Sequence, residues 1–245
     1  MGMEWDIDKN FIDKFFISFI GKKVGVLGHD KCGKSVLFHL IQEKEIKPSN
    51  GPTDLPIKSE TLKTNFQYKG SKKSILIKKI IDTPGDKERP NTRKKVFRTL
   101  DYIIYFIRSD LIVPLNKNII VTGEMHQDRL SARLALRQDF MNFKAWANDD
   151  FLFKKRRQII VVANHFAHST DGEIVIPIPD EKTKDFFVPN FLDGEVKQNY
   201  SRTFKKIVSE IIGGQLLNDV QFVVGSLASN KLGNQLVISI FHKLI

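Results

Sequence analysis

The stretch Lys23-Val24-Gly25-Val26-Leu27-Gly28-His29-Asp30-Lys31-Cys32-Gly33-Lys34-Ser35 decides how the chain is read. Its first part is a short apolar run that reads as a buried strand ending at Gly28. Beyond it, Val36, Leu37, Leu40 and Ile41 recur at three-four spacing, the pattern of a helix buried along one stripe. Between strand and helix, Gly28 to Ser35 fit G-x-x-x-x-G-K-[ST], which chance alone produces in roughly one chain of this length in a hundred. The chemistry explains the spacing. Two glycines let successive backbone N–H groups wrap a polyphosphate in front of a helix N-terminus. Lys34 adds a point charge at the β and γ phosphates, and the Ser35 hydroxyl suits a Mg²⁺ ion.

Strands and helices alternate outward from this loop. Residues 62–68 alternate apolar and polar, Gly70-Ser71 turns the chain, and residues 74–81 form a second strand, so the pair is expected as an antiparallel hairpin. Residues 96–100 suggest a short helix, 102–107 a buried strand, 128–146 a long helix and 159–163 another buried strand. A helix from residue 201 stopped by Gly213-Gly214, a strand at 220–224 and a helix at 232–244 close the pattern. Residues 5–20 are expected to form a helical extension, and 165–199 an insertion with short strands at 174–178 and 186–188. This order predicts one α/β domain over residues 1–245, a mostly parallel sheet covered on both faces.

A second motif supports the first. Ile80-Ile81-Asp82-Thr83-Pro84-Gly85 ends an apolar strand in an acidic residue about fifty residues after the loop. There Asp82 can hold Mg²⁺ through water, and the Gly85 N–H can reach a γ-phosphate.

With both motifs placed, the chain resembles the Ras-like and Era-like P-loop GTPases of the translation-factor class. The resemblance covers most of the chain and implies a three-layer Ras-like fold. Its sheet would have six strands, mostly parallel, with one antiparallel strand at the edge. It implies GTP and GDP as ligands with Mg²⁺, a first switch at residues 45–60 and a second at 86–99. Gly28, Asp30, Lys31, Cys32, Gly33, Lys34, Ser35 and Gly85 would contact phosphate. Ser35, Asp82 and a switch threonine would hold the metal. Thr53 is the candidate for that threonine, with Thr61 and Thr64 as alternatives. Lys34, Thr53 and Asp86 would carry hydrolysis.

The chain departs from the family at four places. The base-reading N-K-x-D motif appears as Asn164-His165-Phe166-Ala167, so lysine and aspartate are both replaced. Losing that carboxylate removes a charge-assisted pair of hydrogen bonds to guanine, and Asp171 would need a rearranged loop to substitute. Ser226-Leu227-Ala228 resembles the family's other base-binding loop, where the N–H of Leu227 or Ala228 would reach the guanine oxygen. Asp86 stands where relatives carry a water-orienting glutamine or histidine, and Asp30 where Ras-like proteins carry glycine. Lys31 replaces a potassium-binding asparagine; it is either a built-in substitute for that cation or a solvated side chain. Slow turnover is expected, with an arginine from a partner or from Arg89, Arg93 or Arg129.

Other features carry less. Cys32 beside a lysine at a helix start is either a lowered-pKa thiol or loop filler. His165 and His168 lack a third metal ligand, and the run 154–157 reads as a solvated approach to a strand or a targeting signal. A single cysteine among 245 residues excludes a disulfide framework and a Cys-rich zinc site. No apolar run approaches the roughly 18 residues of a membrane span. A basic-then-apolar leader is absent, and Asp6 stands where a myristoylation motif needs Ser or Thr. A cytoplasmic location is the expectation.

The net charge of +11 is local in origin: residues 58–98 hold 13 Lys or Arg against four Asp or Glu, a net of +9. Lysines on an edge strand discourage sheet-to-sheet association; equally, this face suits a protein effector, RNA or an anionic membrane surface. The expected function is a GTP-binding molecular switch with slow Mg²⁺-dependent hydrolysis. The alternatives are a pseudo-GTPase or ATP-binding interaction module, and an RNA- or ribosome-associated assembly GTPase.

Overall fold

The computed structural model describes residues 5–8, 21–29, 32–43, 57–58, 62–68, 71–82, 90–112, 123–148, 157–164, 167–168, 174–175, 194–213, 220–227 and 229–245. Their elements, in chain order, begin with β1 (Trp5–Asp8), β2 (Lys22–Gly28), α1 (Lys34–Glu43), β3 (Ile57–Lys58), β4 (Leu62–Tyr68) and β5 (Ser71–Asp82). Next come α2 (Pro90–Thr99), β6 (Tyr102–Arg108), α3 (Ser109–Ile112), α4 (Gly123–Asn148) and β7 (Gln158–Asn164). The chain closes with β8 (Ala167–His168), β9 (Ile174–Val175), α5 (Gly194–Ile212), β10 (Val220–Gly225) and α6 (Asn230–Leu244).

Five strands, in the order β5-β2-β6-β7-β10, are mutually parallel. Side chains alternate across them. Val24, Val26, Ile104, Phe106, Ile160 and Val162 meet α1 and α6 on one face. Leu27, Ile103, Tyr105, Ile107, Val161 and Ala163 meet α2, α4 and α5 on the other. Both faces are therefore dry, which is why β6 and β7 read as unbroken apolar runs. Leu37, Leu40 and Ile41 of α1 are fully buried, each stabilising by roughly 1.5–3 kcal/mol relative to exposure.

Three expectations change. The hairpin exists, with β4 antiparallel to β5 from Leu62↔Ile77 to Tyr68↔Ser71, but β4 is not the edge. Trp5–Asp8 is a strand, not part of a helix, and pairs antiparallel with β4. Trp5 and Ile7 alternate with Asp6 and Asp8, a period of two that a helix does not share. Among the described residues the sheet thus has eight strands instead of six, counting β3, which pairs with the end of β5 at Ile57↔Asp82. Within the stretch 165–199, the described residues include part of the short strand expected at 174–178. Ala167–His168 and Ile174–Val175 form their own two-stranded sheet, and α5 already begins at Gly194. The expected strand at 186–188 lies outside the described residues.

The topology points to a site. From β2 the chain crosses to β5 on one side and later to β6 on the other. Open parallel sheets bind ligands beyond the strand ends where the order reverses in this way. Here that place is the end of β2, at Gly28.

Candidate functional site

At the end of β2 the backbone leaves the sheet through Gly28, at φ 141°. A Cβ there would sit 2.1 Å from the Phe106 carbonyl oxygen, so glycine is required twice over, by conformation and by room. Gly33, at φ 99°, ends the loop, and a Cβ on it would meet Asn164 Nδ2 at 2.8 Å. Helix α1 starts one residue later, and Leu37 N–H donates to the Gly33 carbonyl at 3.0 Å. The first N–H groups of this helix have no intrahelical acceptor and carry the positive end of its dipole.

Lys34 closes the loop on itself. Its side chain is only 6% exposed, and Nζ donates to the Gly28 carbonyl at 3.2 Å and to the His29 carbonyl. The ammonium is thereby stretched from the end of the loop back to its start. Cys32 is buried, with Sγ 3.9 Å from Lys34 Nζ; it packs in the core cluster beneath the loop, the position of a filler.

Ser35 and Asp82 meet at the same edge. The Ser35 hydroxyl donates to Asp82 Oδ2 at 2.7 Å. Asp82 is fully buried, and its Oδ1 accepts no hydrogen bond among the described residues. Burial pushes its carboxyl above the ordinary carboxylate value, against the Ser35 hydrogen bond and the charges of Lys34 and His39. A buried oxygen without a donor, beside a hydroxyl and an ammonium, suits a cation or its water shell. Among the described residues there is no group of three or more His, Cys, Asp or Glu placed to hold a metal.

Asn164 braces the loop from the far side. Its Nδ2 donates to the Cys32 carbonyl at 2.9 Å, and its Oδ1 accepts from the Leu227 N–H at 3.2 Å. One buried amide thus ties the Gly28–Ser35 loop to the residues after β10, where Ser226 and Leu227 are also buried. The Leu227 N–H, one of the two expected base-reading groups, thus donates to Asn164 here; the other, that of Ala228, lies outside the described residues.

Gly28, Cys32, Gly33, Lys34, Ser35, Asp82, Asn164, Ser226 and Leu227 are therefore gathered around the end of β2. Asp30, Lys31, Thr53, Gly85, Asp86, His165 and Ala228 lie outside the described residues. Thr64 is removed as a metal ligand. It pairs with Ile75, seven residues before Asp82 on β5, about 23 Å along a strand. Arg93 is removed as a mobile arginine, because it is spent elsewhere.

That second constellation was not foreseen. Arg93 of α2 donates from Nη1 and Nη2 to the two oxygens of Asp139 on α4, at 2.8 and 2.9 Å. The Tyr105 hydroxyl, from β6, donates to the same Asp139 Oδ2. All three side chains are buried. Burial pushes the Tyr105 phenol well above its ordinary value, and the Asp139 charge adds to the rise, so it stays a protonated donor. The Tyr105 ring also meets His29 edge-on, with centroids 6.1 Å apart. Arg157 differs from expectation too. It is not solvated but buried, donating to the Phe97 and Arg98 carbonyls at 3.1 Å, where it caps the end of α2.

No protein-family model matches the chain, and no curated protein matches it. Among the described residues, no helix is long and apolar enough to cross a membrane.

Proposed function

We propose that this chain is a nucleoside-triphosphate-binding switch of the Ras-like P-loop type, taking Mg²⁺–GTP and hydrolysing it slowly. One observation carries the reading: the bond from half-buried Ser35 to buried Asp82, whose Oδ1 has no donor among the described residues, directly beside the loop that Lys34 closes. A loop serving only as a turn has no need to bury an ammonium and a carboxylate together beside a hydroxyl. Ser35 would ligate Mg²⁺ and Asp82 would hold it through water; the ion's chemistry is to neutralise charge on the β and γ phosphates. Lys34 and the N–H groups opening α1 bind the same oxygens. Asn164 keeps the loop in its binding shape without touching phosphate.

The base preference rests on less, and a second reading follows from it. The Leu227 N–H is held by Asn164, and Ala167, where the family's aspartate would stand, pairs with Val175 in the β8–β9 ladder. Both favour a module that recognises the polyphosphate strongly and the base weakly, with guanine preferred by a modest margin over adenine. In that reading the chain is a nucleotide-dependent interaction protein of the cytoplasm. Its partner is an acidic protein surface drawn to the basic 58–98 region; RNA and anionic membrane are the other candidates.

The test is to extract and identify the nucleotide that copurifies, then to follow phosphate release under single-turnover conditions. GDP or GTP in near-stoichiometric amount, with slow release that needs Mg²⁺, is the expected result. A mixture of adenine and guanine nucleotides favours the second reading. Protein that carries and binds neither rejects both.

A further inference from the structure

Helix α2 lies within the stretch 86–99 that the resemblance marks as the second switch, the part that a switch of this type moves. Its attachments are those of a fixed part. Arg93 and Asp139 are each 7% exposed and share two parallel hydrogen bonds, while Tyr105 takes a third position on the same carboxylate. One turn on, Phe97 stacks on Phe143 of α4, with centroids 5.1 Å apart and planes 13° from parallel, and meets Trp146 edge-on. At the helix end, Arg157 donates to two carbonyls and lays its guanidinium 4.8 Å from the centre of the Phe97 ring. The helix is thus held by β6, by α4 and by the residue just before β7.

Tilting α2 away would leave the Asp139 carboxylate buried without its cation, the circumstance in which breaking an ion pair is most unfavourable. It would also uncover Phe97 and empty two carbonyl contacts at once. Such a set of contacts does not yield gradually; it holds or it fails.

We infer that α2 is a fixed platform whose position is the same whether or not the nucleotide site is filled, so that the nucleotide-driven rearrangement ends at Pro90. The second half of this rests on the switch reading above; the first half does not. A partner that distinguishes the two nucleotide states then does not do so through the face of α2. His29, edge-on to Tyr105, places the phosphate loop against the same support, so loop and platform share one rigid backing.

Hydrogen exchange by mass spectrometry on the full chain tests this, in three samples: free, with Mg²⁺–GDP, and with a Mg²⁺-bound non-hydrolysable GTP analogue. The hydrogen-bonded amides of α2 should exchange at the same rate in all three, within about threefold, and as slowly as those of β6. Arg93→Met should speed α2 exchange at least tenfold while β6 and β7 amides hold. If that variant fails to fold, Arg157→Ala, which removes the cap and the guanidinium over Phe97, should speed the last turns of α2 while its first turn holds. A change of more than tenfold in α2 between the GDP and analogue samples overturns the inference, as does an unprotected α2 in the free protein. Thermal shift on the same samples keeps the two claims apart. If no nucleotide stabilises the protein, the switch reading fails, and the Arg93-dependent protection of α2 still decides whether it is fastened.

Discussion

Asp82 is asked to hold a charge where water does not reach. Its raised carboxyl, caused first by burial, means that the folded, ligand-free protein binds this proton more tightly than the unfolded chain does. The associated stability is therefore fully present at low pH and is lost as pH rises through the folded-state value. Asp82→Asn removes that dependence. We expect the nucleotide-free variant to melt at or above wild type near neutral pH, with the gap closing as pH falls toward the ordinary carboxylate range. The same variant should lose its response to Mg²⁺–nucleotide. Thermal melts of both proteins across that pH range check this, and a variant less stable than wild type at neutral pH would contradict it. Asn164 acts differently, through hydrogen bonds only. Asn164→Ala strands the Cys32 carbonyl and the Leu227 N–H, at about 1–3 kcal/mol for each buried group left unpaired. Nucleotide affinity should fall with it, while Asn164→Asp, which keeps the acceptor to Leu227, should recover part of the stability in denaturant melts.

At the scale of elements, the junction of α2, α4 and β6 is the feature most sensitive to single changes. Asp139→Ala should destabilise by about 3–5 kcal/mol, because Arg93 is then buried without an anion. Tyr105→Phe removes one hydrogen bond and should cost about 1 kcal/mol. In a double-mutant cycle by urea denaturation the two should fall short of additivity, since both act on one carboxylate; strict additivity would mean the tyrosine and the ion pair are independent. The parallel strands, α1 and the glycine-bounded turn between β2 and α1 were legible in the sequence, because apolar period and glycine spacing are local signals. This junction was not, because it joins residues 93, 105 and 139 across three elements. Two cues were present all the same. Asp139 falls on the apolar stripe of α4 between Leu136 and Phe143, where a carboxylate needs a cation. Tyr105 sits inside an otherwise apolar buried strand, where its hydroxyl needs an acceptor. The strand at Trp5–Asp8 was missed because four alternating residues are a weak signal beside the longer charged-and-apolar run that follows.

For the molecule as a whole, the sheet order turns a loop motif into a site. With β5 and β6 on opposite sides of β2, the Gly28–Ser35 loop, Asp82 and Asn164 reach one edge from three different strand ends. The basic stretch changes meaning as well. Its strand β4 is flanked on both sides, by β1 and β5, so its lysines do not guard an open edge. In the β1–β4 register Asp8 stands opposite Lys63 and Asp6 opposite Asn65, which places acidic residues along the true edge. Removing residues 1–8 would expose the backbone groups of β4 that β1 now pairs. Such a truncated chain is expected to self-associate in light scattering at concentrations where the full chain does not, and a chain that stays dispersed would argue that β1 contributes little to the sheet. The most direct test of the central claim is a thermal shift with Mg²⁺–GTP, Mg²⁺–GDP and Mg²⁺–ATP on wild type and Lys34→Ala. Ligand at a hundredfold over its Kd adds about 2.7 kcal/mol of stability. Wild type should therefore melt several degrees higher with the guanine nucleotides, and the variant should not respond. If none of the three nucleotides stabilises the wild-type chain, the phosphate-site reading is wrong.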